Sequence, residues 1–104
     1  MNFLEFWHKL QAGLRTGVRV KNWTAKRGYL GDEFGISAVS DAAVDIDSPN
    51  AENVQRVPKK DFEILFSNWE AYCSGKLQRQ ELREMTRFSK YTMSIIKHIQ
   101  DTPT

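Results

Sequence analysis

The chain has little of several things. It carries one cysteine, Cys73, in 104 residues. That excludes an internal disulfide framework, and a lone thiol fits a reducing compartment, the cytoplasm. His8 and His98 with that single thiol fall short of the Cys/His spacing of a structural zinc site. No apolar run approaches the length of a membrane span, so no membrane partner is expected. The N-terminus, MNFLEFWHKLQAGL, has no basic stretch and is interrupted by Glu5, unlike a secretion signal. Gly28, Gly31 and Gly35 lack the spacing of a phosphate-binding loop, and no lysine follows correctly. Asp45 and Asp47 alternate as in a calcium loop, but Pro49 occupies the third ligand position. Neither a metal nor a cofactor is expected. An enzyme is the least supported class, with a pocket assembled by folding left open.

What is plentiful is aromatic: six phenylalanines, three tryptophans and three tyrosines supply much of one core, enough for a single domain of this size. In residues 2–13, Phe3, Trp7, Leu10 and Leu14 fall on one helical stripe, with Gly13 and Gly17 at its end. That stripe either docks on the domain core or packs against a second copy or another protein, with Phe3, Trp7 and Leu10 as anchors. Val18, Val20 and Asn22 alternate with Arg19, Lys21 and Trp23, the half-buried strand signature. Residues 24–31 read as a loop. Phe34, Ile36 and Ala38, then Val44 and Ile46, then residues 53–57 read as further strands, separated by turns at Ser40-Asp41 and Ser48-Pro49-Asn50. Pro58 marks the change to helix. Phe62, Leu65, Phe66, Trp69, Tyr72 and Cys73 form a wide apolar face, closed by Gly75, on which Cys73 reads as a packed, inert thiol. A helical pair follows. The expected fold is α+β: an N-terminal helix (1–14), a small antiparallel meander of three or four strands (17–57), and a C-terminal cluster of three helices (58–101) in one domain of 1–104.

Net charge is only +2, but its distribution is uneven. Residues 15–27 carry Arg15, Arg19, Lys21, Lys26 and Arg27 with no acid. Residues 32–52 carry Asp32, Glu33, Asp41, Asp45, Asp47 and Glu52 with no base. Residues 76–97 are basic again, with Lys76, Arg79, Arg83, Arg87, Lys90 and Lys97 against Glu81 and Glu84. Either the acidic segment pairs with its basic neighbours, or the basic segments form a patch for an anionic partner such as nucleic acid. In the second case Arg19, Lys21, Lys26 and Arg27, with Lys90 and Lys97, meet the partner's phosphates. Trp23, beside these cations, either stacks a base or anchors its segment to the core.

Residues 79–100, RQELREMTRFSKYTMSIIKHIQ, resemble a helix-turn-helix DNA reader. The sequence departs from that pattern at Arg83, where the helices cross closely and a small residue is needed. It departs again at Arg87, where the turn usually needs a left-handed glycine. Tyr91, Thr92, Ile95, Ile96 and Ile99 form an apolar stripe opposite Lys90, Ser94, Lys97 and Asp101, so the second helix is rotated relative to that family and base readout is not supported. The alternative is a plain helical hairpin that completes the core. The run Asp61-Phe62…Trp69…Tyr72…Gly75…Arg79…Thr86-Arg87-Phe88-Ser89…Tyr91, after Asn22-Trp23…Gly28-Tyr29…Phe34, also resembles a pattern in small bacterial proteins of unassigned activity, some carried on integron gene cassettes. That resemblance implies a compact stand-alone domain and transfers no catalytic residue.

Overall fold

The computed structural model describes residues 1–49 and 51–102. Asn50 of the expected Ser48-Pro49-Asn50 turn lies outside the described residues. Helix α1 (Phe3–Gly13) starts at Asn2, whose side chain accepts the Glu5 N–H at 2.9 Å and so satisfies one of the donors that a helix start leaves free. It buries Phe6, Trp7 and Leu10, with Leu14 just beyond its end. Four strands follow: β1 (Arg19–Thr24), β2 (Gly28–Val39), β3 (Ala43–Asp47) and β4 (Gln55–Pro58). They form one antiparallel sheet in the order β1-β2-β3-β4, the meander expected of short strands with tight links.

Alternation sorts the strands' residues onto two faces. Val20 pairs with Phe34, Ile36 with Ile46, and Val44 with Val57, and all six are buried. The other face carries Arg19, Lys21, Glu33, Asp45, Asp47 and Arg56, so one side of the sheet meets the helices and the other meets water. Two irregularities keep this sorting intact. Ser37 is an extra residue of β2 between the pairs Ile36–Ile46 and Ala38–Asp45. Further along, Asn22 alone stands opposite Leu30, Gly31 and Asp32. The expected loop over 24–31 is thus mostly strand. Gly28, at φ +72°, closes a short turn, and Gly31 sits in the irregular stretch opposite Asn22.

Pro58 leads into α2 (Lys59–Ser67), followed by α3 (Trp69–Cys73), α4 (Arg79–Met85) and α5 (Ser89–Asp101). The helical region holds four helices rather than three. The apolar face running from Phe62 to Tyr72 is broken at Asn68, whose amide turns back to donate to the Ile64 carbonyl at 2.8 Å. The core lies between the sheet's inner face and α1, α2 and α5. Aromatic rings join the helices: Trp7 and Phe62 have centroids 5.4 Å apart, Phe6 and Phe66 5.1 Å. Tyr91 of α5 meets Phe34 of β2 edge-on at 5.1 Å.

Helix α5 also closes the edge of the sheet. An edge strand presents unpaired N–H groups that must find partners. The Trp23 N–H donates to Ser94 Oγ at 3.0 Å, and the Ala25 N–H donates to the Tyr72 hydroxyl at 3.1 Å. Ser94 is fully buried there, and its own hydroxyl donates to the Lys90 carbonyl at 2.9 Å. Within the stripe of Lys90, Ser94, Lys97 and Asp101, Ser94 and Lys97 therefore meet Trp23 of β1, and Asp101 meets Tyr29 of β2, instead of facing away from the sheet.

Candidate anion-binding cleft

Two reversals of the chain build a cleft. On one lip, the β1–β2 turn is fixed by the Arg27 N–H donating to Thr24 Oγ1 at 3.1 Å, by Gly28 in the left-handed region, and by the Ala25–Tyr72 bond. These hold Lys26 and Arg27, both exposed, at the end of the hairpin. On the other lip, Gly75 ends α3 at φ +86°, the Leu77 N–H donates to the Ala71 carbonyl at 3.0 Å, and the Gln78 amide donates to the Gly75 carbonyl at 3.2 Å. That path delivers Arg79, the first residue of α4. Between the lips lies a cleft of about 660 Å³ lined by Lys26, Arg27 and Arg79, with Leu30, Leu77 and Tyr72 among its apolar part.

Among the described residues, the lining contains three cations and no carboxylate. Among the described residues none of the three is in an ion pair. Arg79 Nε is buried and, among the described residues, has no hydrogen-bond partner. A buried guanidinium N–H without an acceptor is costly, and an anionic oxygen is the group that relieves it most strongly. Cys73 also lines this cleft and is exposed, which corrects the expectation of a packed thiol: α3 spans only five residues, and Tyr72 takes its inward position. Partial burial raises the thiol's pKa above the ordinary range, and nearby Lys97 opposes that shift.

The sequence-derived candidates divide by position. Lys26 and Arg27 reach the cleft; Arg19, Lys21, Lys90 and Lys97 do not line it. Arg19 lies on the open sheet face, paired with Glu33 at 3.1 Å, and there the acidic segment does neutralise its basic neighbour. Arg56 and Asp45 pair on the same face at 2.9 Å. Trp23 is half-buried, 5.5 Å from Trp69 and edge-on to Tyr72, with the Lys97 ammonium 5.3 Å from its ring. Lys97 also pairs with Asp101 at 3.3 Å. Asp101 in turn accepts the Tyr29 hydroxyl at 2.6 Å. Of the expected interface residues, Trp7 and Leu10 are taken up by the protein's own core, and Phe3 is half-buried against Phe6, Trp7 and Phe66. Arg79 was visible only as one of several cations in 76–97; no local signal ties it to the β1–β2 turn.

Residues 79–100 do form a short and a longer helix. They join through an extended Thr86 (φ −152°), and Arg87 does not enter the left-handed region. Among the described residues, no three His, Cys, Asp or Glu side chains gather as a metal site, and no helix is long and apolar enough to cross a membrane. Fold and cleft together define an α+β domain with a helix-covered meander and a basic cleft at one end of its first hairpin. No protein-family model, curated protein or solved structure matches the chain.

Proposed function

We propose that the protein is a non-enzymatic binding module for an anionic partner, nucleic acid, whose phosphates are met in the cleft by Lys26, Arg27 and Arg79. The observation that carries this reading is a concave site that, among the described residues, has three cations, no carboxylate, and a buried guanidinium nitrogen without a partner. Phosphate oxygens satisfy such groups bidentately, and the release of their counterions drives association. The test is fluorescence anisotropy with labelled single-stranded and duplex DNA at low and at physiological salt. Binding that weakens steeply with salt and disappears in K26E/R27E supports the reading. Absence of binding at low salt sinks it, because non-specific electrostatic association is strongest there.

A second reading, a protein-interaction module, is favoured by one observation. Leu4, 56% exposed, lies beside the half-buried Phe3 at a groove that Lys59, Lys60 and Glu63 also line. An apolar contact there would be nearly insensitive to salt and would be lost in Leu4→Asp.

A further inference from the structure

Helix α4 has basic concavities at both of its ends. At its start is the cleft with Arg79. At its close is a groove of about 690 Å³, lined by Lys60, Arg83 and Arg87 together with Phe88. Arg56, Asp61 and Glu84 also line this groove, so it sets four cations against two carboxylates and is less purely basic than the cleft. Arg56 is held by Asp45 on the sheet, and Asp61 accepts the Thr86 hydroxyl at 2.5 Å. Among the described residues, Lys60, Arg83 and Arg87 have no carboxylate partner. Arg79 and Arg83 are four positions apart on one helix, so they share a side of it and are displaced along its axis by about 6 Å. The Glu81 carboxylate is turned to the helix start, where it accepts the Gln78 N–H at 3.1 Å.

Resting on the reading above, we infer that the partner is single-stranded nucleic acid, laid along α4 from the Lys26/Arg27/Arg79 cleft to the Lys60/Arg83/Arg87 groove. Helix α4 is seven residues, about 10 Å, long. A duplex, stiff over about 150 base pairs, could meet both concavities only by taking α4 into its major groove, and Arg83 and Arg87 depart from the pattern of helices that dock that way. A single strand bends freely and can seat successive phosphates along it. The groove also offers a stacking surface of the kind single-strand binders use: the Arg87 guanidinium lies 4.7 Å from the centre of the half-buried Phe88 ring.

The test uses the intact chain and three labelled probes at low salt: an oligothymidylate of about twelve nucleotides, within the usual single-strand site sizes, one of about three, below them, and a duplex of the longer length. The long single strand should bind more tightly than the duplex. R83E/R87E should weaken the long strand about tenfold or more, reduce its salt slope by about 0.7 for each phosphate that is no longer neutralised, and leave the short strand unaffected. The neutral variant R83Q/R87Q should weaken it in the same direction, with unchanged circular dichroism confirming that the fold is intact. Wild-type affinity of R83E/R87E for the long strand, alongside loss in K26E/R27E, would overturn the path along α4 and leave the cleft reading standing. Tighter binding of the duplex would overturn the single-strand assignment. Failure of every probe to bind at low salt would remove both readings together.

Discussion

Thr86 is a buried side chain with two duties. Its hydroxyl donates to Asp61 at 2.5 Å and accepts the Phe88 N–H at 3.1 Å, so it joins the start of α2 to the link between α4 and α5. Thr86→Val keeps the shape and removes both bonds, leaving a buried carboxylate and an amide unmatched. The expected loss is about 1–3 kcal/mol, with Thr86→Ser recovering most of it; urea titration of the three proteins measures this. At the far end of the molecule, Tyr29 titrates abnormally. Burial, then the hydrogen bond to Asp101 and that residue's charge, push its pKa up to about 12. A raised folded pKa stabilises the protein while the phenol is protonated, fully so below the unfolded value near 10, and the contribution is lost as pH rises from there through about 12. Tyrosinate absorbance, compared with that of Tyr29→Phe, should therefore show Tyr29 ionising late. Asp101→Asn should bring that midpoint back toward 10 but not fully, since burial, the largest cause, remains. An unmoved midpoint would mean that the Tyr29–Asp101 bond is absent in solution.

At the scale of elements, the edge of β1 links stability to the cleft. Ser94 and Tyr72 supply acceptors to two N–H groups on the open side of that segment. Tyr72→Phe removes the acceptor for the Ala25 N–H without changing any charge. It should cost about 1–3 kcal/mol. It should also loosen the turn that presents Lys26 and Arg27, so oligonucleotide affinity should fall although all three cleft cations remain. Hydrogen exchange resolved at Ala25 checks the first step, and anisotropy the second; unchanged exchange would break the link. The elements themselves are largely readable in the sequence because their signals are local. Val44 and Ile46 alternate, Pro58 opens a helix, and Gly75 closes one at positive φ. Residues 24–31 mislead because two glycines look like a loop, whereas Gly28 belongs to the turn and Gly31 to an irregular pairing. The cleft is not readable for a different reason. The bond that ties its two lips spans 47 positions, and no pattern of spacing within either segment encodes that contact.

For the molecule as a whole, the uneven charge of the sequence resolves into two surfaces with different fates. The open sheet face sets Arg19 against Glu33 and Arg56 against Asp45, and such exposed pairs contribute little. Six cations without a carboxylate partner among the described residues, Lys26, Arg27 and Arg79 at one end and Lys60, Arg83 and Arg87 at the other, line the concavities at the two ends of α4. Apart from the exposed Tyr29, the aromatic side chains lie in the core or pack against it: a Cα radius of gyration of 12.7 Å is what a folded chain of this length should have, and the N-terminal helix is part of what makes it so. The stripe Phe3, Trp7, Leu10 fits either a core or an interface, since both want the same apolar periodicity; only burial tells them apart. Trp7 is 2% exposed, packs on Phe62, and donates its indole N–H to the Asp41 carbonyl at 3.2 Å. Trp7→Ala should therefore act as a core truncation, costing about 3–5 kcal/mol. That is a large share of the about 5–15 kcal/mol that holds a domain together. In urea, followed by the fluorescence of Trp23 and Trp69, the midpoint should fall sharply with little change in slope, and the folded fraction should sediment as the wild type does. If Trp7→Ala instead kept its midpoint and changed only the sedimentation coefficient, the indole would belong to a contact between chains, and α1 would have to be placed outside the core.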